Sequence, residues 1–184
     1  MEANQFNVDG IKITIIEKPE FDAVGFTRPV NFDDGSIGLF LNELSESGKI
    51  KKLAETLQTP QQIWVCLSGA DCGEDGKCCL ICDSSCTGFH TRCTVCVEKT
   101  ESHDFSRFDE RDLFTLRIPA TEWADFEIGN GQSFTEFHKY SPYERVREIG
   151  YEWNNKVGLH FDNEHEESIP NKGLHFLLPV KIHE

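Results

Sequence analysis

All eight cysteines of the chain fall between Cys66 and Cys96. The centre of that window reads CGEDGKCCLICDSSCTGFHTRCTVC. Thiols packed this densely act as cross-links, either as disulfides or as ligands of a metal. Cys79 and Cys82 form one C-x2-C pair, Cys93 and Cys96 another, and Cys82 and Cys86 are spaced C-x3-C. A C-x2-C pair lets two thiolates of one turn reach a single ion at about 2.3 Å, and further Cys or His ligands close a tetrahedron. Cys93 and Cys96 fall on an expected strand, where residues three apart point to opposite faces. At most one of them joins such a site. The expected ligands are therefore drawn from Cys72, Cys79, Cys82, Cys86 and Cys93, with His90 in reserve, around a structural zinc. The spacing does not match ferredoxin iron–sulfur runs. Disulfide or redox use and unligated thiols are the other readings.

Compartment bears on that choice. The N-terminal MEANQFNVDG has neither a basic nor an apolar region, so no secretory signal is read there. The longest apolar runs, such as Leu174 to Val180, are far too short to span a bilayer. The expectation is a soluble cytoplasmic protein whose thiols stay reduced, which favours metal or redox chemistry over structural disulfides. The formal charge of −14 repels phosphate backbones and anionic lipids, so neither nucleic acid nor membrane is expected as a direct partner. Cationic ligands are favoured.

The remaining chemistry-bearing residues lie on strands. In Ile63 to Ser68, Ile63, Val65 and Leu67 make the more apolar face, expected to pack on a helix, and leave Trp64, Cys66 and Ser68 on the other. In Arg92 to Lys99, Val95 and Val97 go to the core and leave Cys96 and Glu98. Leu159 and Phe161 are expected inward, leaving His160. Leu174, Phe176 and Leu178 likewise leave His175 and Leu177. Glu98 is then the candidate cation anchor or general acid/base, since a desolvated carboxylate suits proton transfer near neutrality. Trp64 and Trp123 are candidate stacking walls, with cation–π attraction for a charged ligand. Glu122 and Glu127, near Trp123, could supply a second carboxylate. Trp153 follows a helical period and reads as core.

Two segments position these strands. ITIIEKPEFDAVGFT (Ile13 to Thr27) resembles FTLRIPATEWADFEI (Phe114 to Ile128), with Pro19 matching Pro119, Asp22 matching Glu122 and Phe26 matching Phe126. Each reads as strand, Pro-marked turn, strand. A broken helix follows each: Ile37, Phe40, Leu41 and Leu44, interrupted at Ser47-Gly48 and resumed by Ile50, Leu53 and Leu57; then Phe134 and Phe137, interrupted at Ser141-Pro142 and resumed by Tyr143, Val146, Ile149 and Trp153. Two strands close each half. The order is βαββ twice, an α+β fold of antiparallel sheets with pseudo-two-fold symmetry and a pocket between the halves. One domain, 1–184, is expected, with a first half at 1–105, a second at 106–184, and a Cys-rich hairpin insertion at 69–91 in the first half only.

The signatures IIEKPEFDAVGF, LRIPATEWADFEIGNG and LHFLLPVKI, in that order, resemble the GyrI-like family, the effector-binding domain also fused to AraC- and MerR-type regulators. The resemblance covers nearly the whole chain apart from the cysteine insertion. It implies a pocket that takes lipophilic, often cationic or aromatic compounds, and some stand-alone members are hydrolases of strained electrophiles. Family members with a cation site often carry Glu four residues before the Pro of the closing strand, where this chain has His175 before Pro179. No helix-turn-helix is legible, so a sensor would need a partner regulator. The resemblance thus implies small-molecule binding for sensing, sequestration or detoxification. Hydrolysis with Glu98 as acid/base, and metal or thiol-redox sensing through the hairpin, are the alternatives.

Overall fold

Alternating apolar and polar residues produce the strands of this computed structural model, and glycines and prolines separate them. Residues 4–30, 34–56, 63–69, 91–128, 137, 139, 141–154, 157, 159–162 and 174–183 are described. In chain order the elements are β1 (Asn4–Val8), β2 (Ile11–Lys18), β3 (Phe21–Val30), α1 (Ser36–Glu46), α2 (Lys49–Glu55), β4 (Trp64–Gly69), β5 (Thr91–Glu98), β6 (Phe114–Ile118), β7 (Thr121–Ile128), α3 (Pro142–Glu148), β8 (Tyr151–Trp153), β9 (Leu159–Asp162) and β10 (Leu174–Ile182). The mixed α+β class and the antiparallel strand pairing agree with the sequence expectation.

The chain divides into two compact units, a terminal one (Met1–Glu20 with Ile118–Glu184) and a central one (Phe21–Arg117). Neither matches a sequence half cut at 105. The reason lies at the two prolines. β2 pairs with β1 and β7, and β3 lies beside β5 and β6, so the strands on either side of Pro19-Glu20 are not each other's partners. A two-residue hairpin needs positive φ in its loop, and proline fixes φ near −65°. The chain therefore leaves one unit and enters the other at Pro19-Glu20 and again near Pro119-Ala120. Each unit combines the first strand of one repeat with the later strands of the other.

In the terminal unit the strand order is β1-β2-β7-β10-β9, with β8 also paired to β10. One face of the sheet carries the core: Ile11, Ile13 and Ile15 from β2, Ala124, Phe126 and Ile128 from β7, and Phe176, Leu178 and Val180 from β10. Phe137, and Val146 from α3, close it, and Phe126, Phe137 and Phe176 form a ring cluster with centroids 5.3–5.9 Å apart. The strand β1 is absent from the sequence-based expectation. It is held by an Asp9-Gly10 turn with φ of 49° and 81°, the I′ geometry that Asp-Gly favours. Arg145, 3% exposed, donates from Nη1 to the Val8 carbonyl at 2.7 Å beside that turn. Trp153 is corrected from helix to strand. Gly150, at φ 85°, ends the helical path, and Trp153 pairs with Val180 at the edge of the core.

In the central unit the order is β4-β5-β3-β6. Its core joins Phe26 and Val30 of β3, Val65 of β4, and Cys93, Val95 and Val97 of β5 to Phe40, Leu41 and Leu44 of α1 and Leu53 of α2. The helix break falls where it was expected: Gly48, at φ 71°, separates α1 from α2.

Candidate functional site

A sheet has two faces, and in each unit only one is spent on the helical core. Of the candidate residues whose side chains are described, Trp64, Cys66, Cys96, Glu98, Trp123, Glu127, His175 and Leu177 lie on the other, whereas Cys93 is in the core and Glu122 is on the core side.

In the terminal unit that second face is ordered by the strand register. Lys12, Glu127 and His175 stand in one row across β2, β7 and β10. Thr14, Asp125 and Leu177 form the next, and Ile16, Trp123 and Pro179 the third. Trp123 is fully buried, and Leu177 and Pro179 are buried beside it. Toward the first row the face becomes polar and more open. Lys12 Nζ lies 3.1 Å from Glu127 Oε2, both about half exposed. His175 Nδ1 lies 2.8 Å from Asp125 Oδ1, with each side chain about a quarter exposed. The hydrogen bond to Asp125 raises the His175 pKa above the usual imidazole value. Burial opposes this, the charges of Asp125 and Glu127 reinforce it, and Lys12 works against it. Where this chain has His175, a carboxylate therefore stands on the next strand, in contact with the imidazole.

Asp125 was not among the sequence candidates, although the signal was there. It stands two residues after Trp123 and two before Glu127, so strand alternation puts all three on one face. Glu122 alternates to the opposite side. It is paired with Glu17, and both line an open depression of about 580 Å³ with Lys18, Pro19, Ala120 and Thr121.

The central unit carries the corresponding face in a different chemistry. Register matches Ala23, Gly25 and Thr27 with Trp123, Asp125 and Glu127, and Thr94, Cys96 and Glu98 with His175, Leu177 and Pro179. The small residues are tightly covered: Ala23, Cys66, Thr94 and Cys96 are 0–1% exposed. Thr27 and Thr94 join through their hydroxyls at 2.9 Å. Trp64 and Glu98 are half-buried. Burial, with the neighbouring Cys93, pushes the Cys96 thiol far above its ordinary pKa. Cys96 therefore stays protonated near neutrality, an apolar wall and not a nucleophile. Gly25 is required by its surroundings. A Cβ there would overlap the Val95 carbonyl oxygen and lie 2.6 Å from Cys96 Cα. The first repeat thus has no room for the carboxylate that the second carries.

His160 lies on β9, and its side chain is outside the described residues. Across from Leu177 the backbone register places Phe161. Of the zinc candidates, Cys72, Cys79, Cys82 and Cys86, with His90, also lie outside the described residues. Cys93 is buried in the apolar core of the central unit. Among the described residues no group of three or more His, Cys, Asp or Glu is placed to hold a metal. Nor is any described helix long and apolar enough to cross a membrane.

The fold is that of the GyrI-like effector-binding domains. SAV2435, solved bound to tetraphenylphosphonium, matches over 98% of this chain and 94% of its own, with a TM-score of 0.59 and 12% identity. An integron cassette protein from the mobile metagenome of Vibrio cholerae matches over 92% and 95%, with a TM-score of 0.51 and 10% identity. The C-terminal domain of EcmrR matches over 94% and 98%, with a TM-score of 0.50 and 12% identity. At these identities the likeness concerns the fold. No family model matches the sequence, and no curated protein does.

Proposed function

We propose that this chain binds a lipophilic, aromatic cation, and so senses or sequesters it. The observation that carries this reading is the second sheet face of the terminal unit. There buried Trp123, Leu177 and Pro179 adjoin Asp125 and Glu127 within three successive strand rows. An apolar aromatic surface beside carboxylates is the chemistry that a delocalised organic cation requires. The rings desolvate it, the indole face attracts its charge, and the carboxylates set the sign of that charge. The net charge of −14 favours the same ligands at long range. The fold shared with SAV2435, itself bound to tetraphenylphosphonium, supports the reading. Trp64, Cys66, Cys96 and Glu98 of the central unit and His160 of β9 are the further ligand-facing candidates. A sensing role would pass through a partner regulator.

Tetraphenylphosphonium is the probe. Titration calorimetry, with indole fluorescence in parallel, is expected to show saturable binding in the micromolar range. A neutral triphenylphosphine oxide control should bind about tenfold more weakly, which is about 1.4 kcal/mol. No saturation up to millimolar cation, or equal affinity for the neutral compound, would overturn the proposal.

A further inference from the structure

We infer that Asp125 is the anchor for the bound cation and that His175 occupies it by proton exchange, so that the protein takes up its cation in return for a proton. The inference rests on the proposed function and deepens it.

Among the described residues of this face Asp125 is the carboxylate nearest the apolar patch, since it shares the middle row with Leu177 and lies next to the Trp123–Pro179 row. Glu127 lies one row further out and is held by Lys12 at 3.1 Å. Asp125 is held by an imidazole at 2.8 Å. The difference between the two partners decides the behaviour. A lysine stays charged throughout the physiological range, whereas a histidine sheds its charge within it. Among the described residues, the charged and titratable groups facing His175 include Lys12 from β2 and Asp125 and Glu127 from β7. The side chains of β9, its other neighbour, lie outside the described residues.

With the imidazolium in place the Asp125 carboxylate is neutralised, and an incoming cation meets a second positive charge. When the imidazole is neutral, Asp125 presents an uncompensated negative charge beside an indole. The exchange balances. The imidazolium–carboxylate pair plus a cation gives the neutral imidazole, the carboxylate–cation pair and one proton released to solvent. His175 has its pKa raised by Asp125, so the protonated pair persists to higher pH than an isolated histidine would. The sign follows: the cation binds weakly below the pKa of His175 and at full strength above it. Affinity changes about tenfold per pH unit on the lower side.

The test is calorimetry of tetraphenylphosphonium binding to the full chain at pH 5.5 and 8.5, in paired buffers of different ionisation enthalpy. The expected result is an affinity at least about tenfold weaker at pH 5.5, because that pH lies a full unit below even the ordinary histidine value. Buffer dependence should show net proton release at the lower pH. His175→Gln keeps a polar side chain but cannot titrate. It should bind with equal affinity at both pH values. Asp125→Asn should weaken binding at pH 8.5 and, by nuclear magnetic resonance, let the His175 pKa fall. Binding that is flat with pH in the parent protein, absence of proton release, or a pH slope retained in His175→Gln would each overturn the inference while leaving cation binding intact. Absence of binding at every pH would instead overturn the proposed function, and the inference with it.

Discussion

Gly25→Ala is expected to unfold or severely destabilise the protein, although it adds a single methyl group. Gly25 lies on β3 opposite Cys96 of β5. The new Cβ would overlap the Val95 carbonyl oxygen, with Cys96 Cα at 2.6 Å and the Val95 carbonyl carbon at 2.8 Å. All three are main-chain atoms of a central strand, so no rotamer change relieves the contact. β3 and β5 must part instead. Overpacking by a methylene costs about 1–3 kcal/mol where side chains can adjust. Here the backbone ladder itself must yield, so a loss of about 3 kcal/mol or more is expected. Gly38, in α1, supplies the control. A Cβ there meets nothing within 4 Å. Gly38→Ala should be neutral or stabilise by about 0.5–1 kcal/mol through lower unfolded-state entropy. Urea denaturation followed by circular dichroism measures both. Gly25→Ala within 1 kcal/mol of the parent, or no better tolerance of Gly38→Ala, would refute the claim that the first repeat is closed at the position where the second carries Asp125.

Arg145→Ala should cost about 1.5–3 kcal/mol in the same assay, since the hydrogen bond from the buried, charged guanidinium to the Val8 carbonyl at 2.7 Å is lost. Asp9→Asn, at a 71% exposed carboxylate 3.4 Å from Arg145, should cost less than about 1 kcal/mol; equal losses would show that the ion pair, not the buried hydrogen bond, holds the turn. For the cysteine-rich segment, metal analysis of protein purified without added zinc is expected to find about one equivalent, the content of one four-ligand site. Metal-free protein in which all eight thiols titrate after denaturation would remove the zinc proposal.

Much of the site was legible because strand alternation is local. Val65, Val95, Val97, Phe176 and Leu178 face the helical cores as their spacing predicts, and Trp64, Cys66, Cys96, His175 and Leu177 are left on the other faces. The Asp9-Gly10 turn and the hairpin that adds β1 were missed, although Asp-Gly is itself a hairpin signal. Trp153 misled because its helical spacing continues past Gly150, whose positive φ redirects the chain into β8. The pairing of His175 with Asp125 has no sequence signature, since the two residues are fifty positions apart and meet only through the register of β7 and β10.

The amino-acid sequence alone determined the α+β class, the duplicated order of elements, the faces of the apolar residues of β4, β5 and β10, and the confinement of every cysteine to one region. These follow from short-range periodicity, turn chemistry and composition. Only the tertiary structure decided that each repeat lends its first strand to the other's unit, and that a carboxylate answers the histidine where the closing strand itself carries none. Partner choice between strands depends on contacts distant along the chain, and a period of two says which way a side chain points but not what it meets.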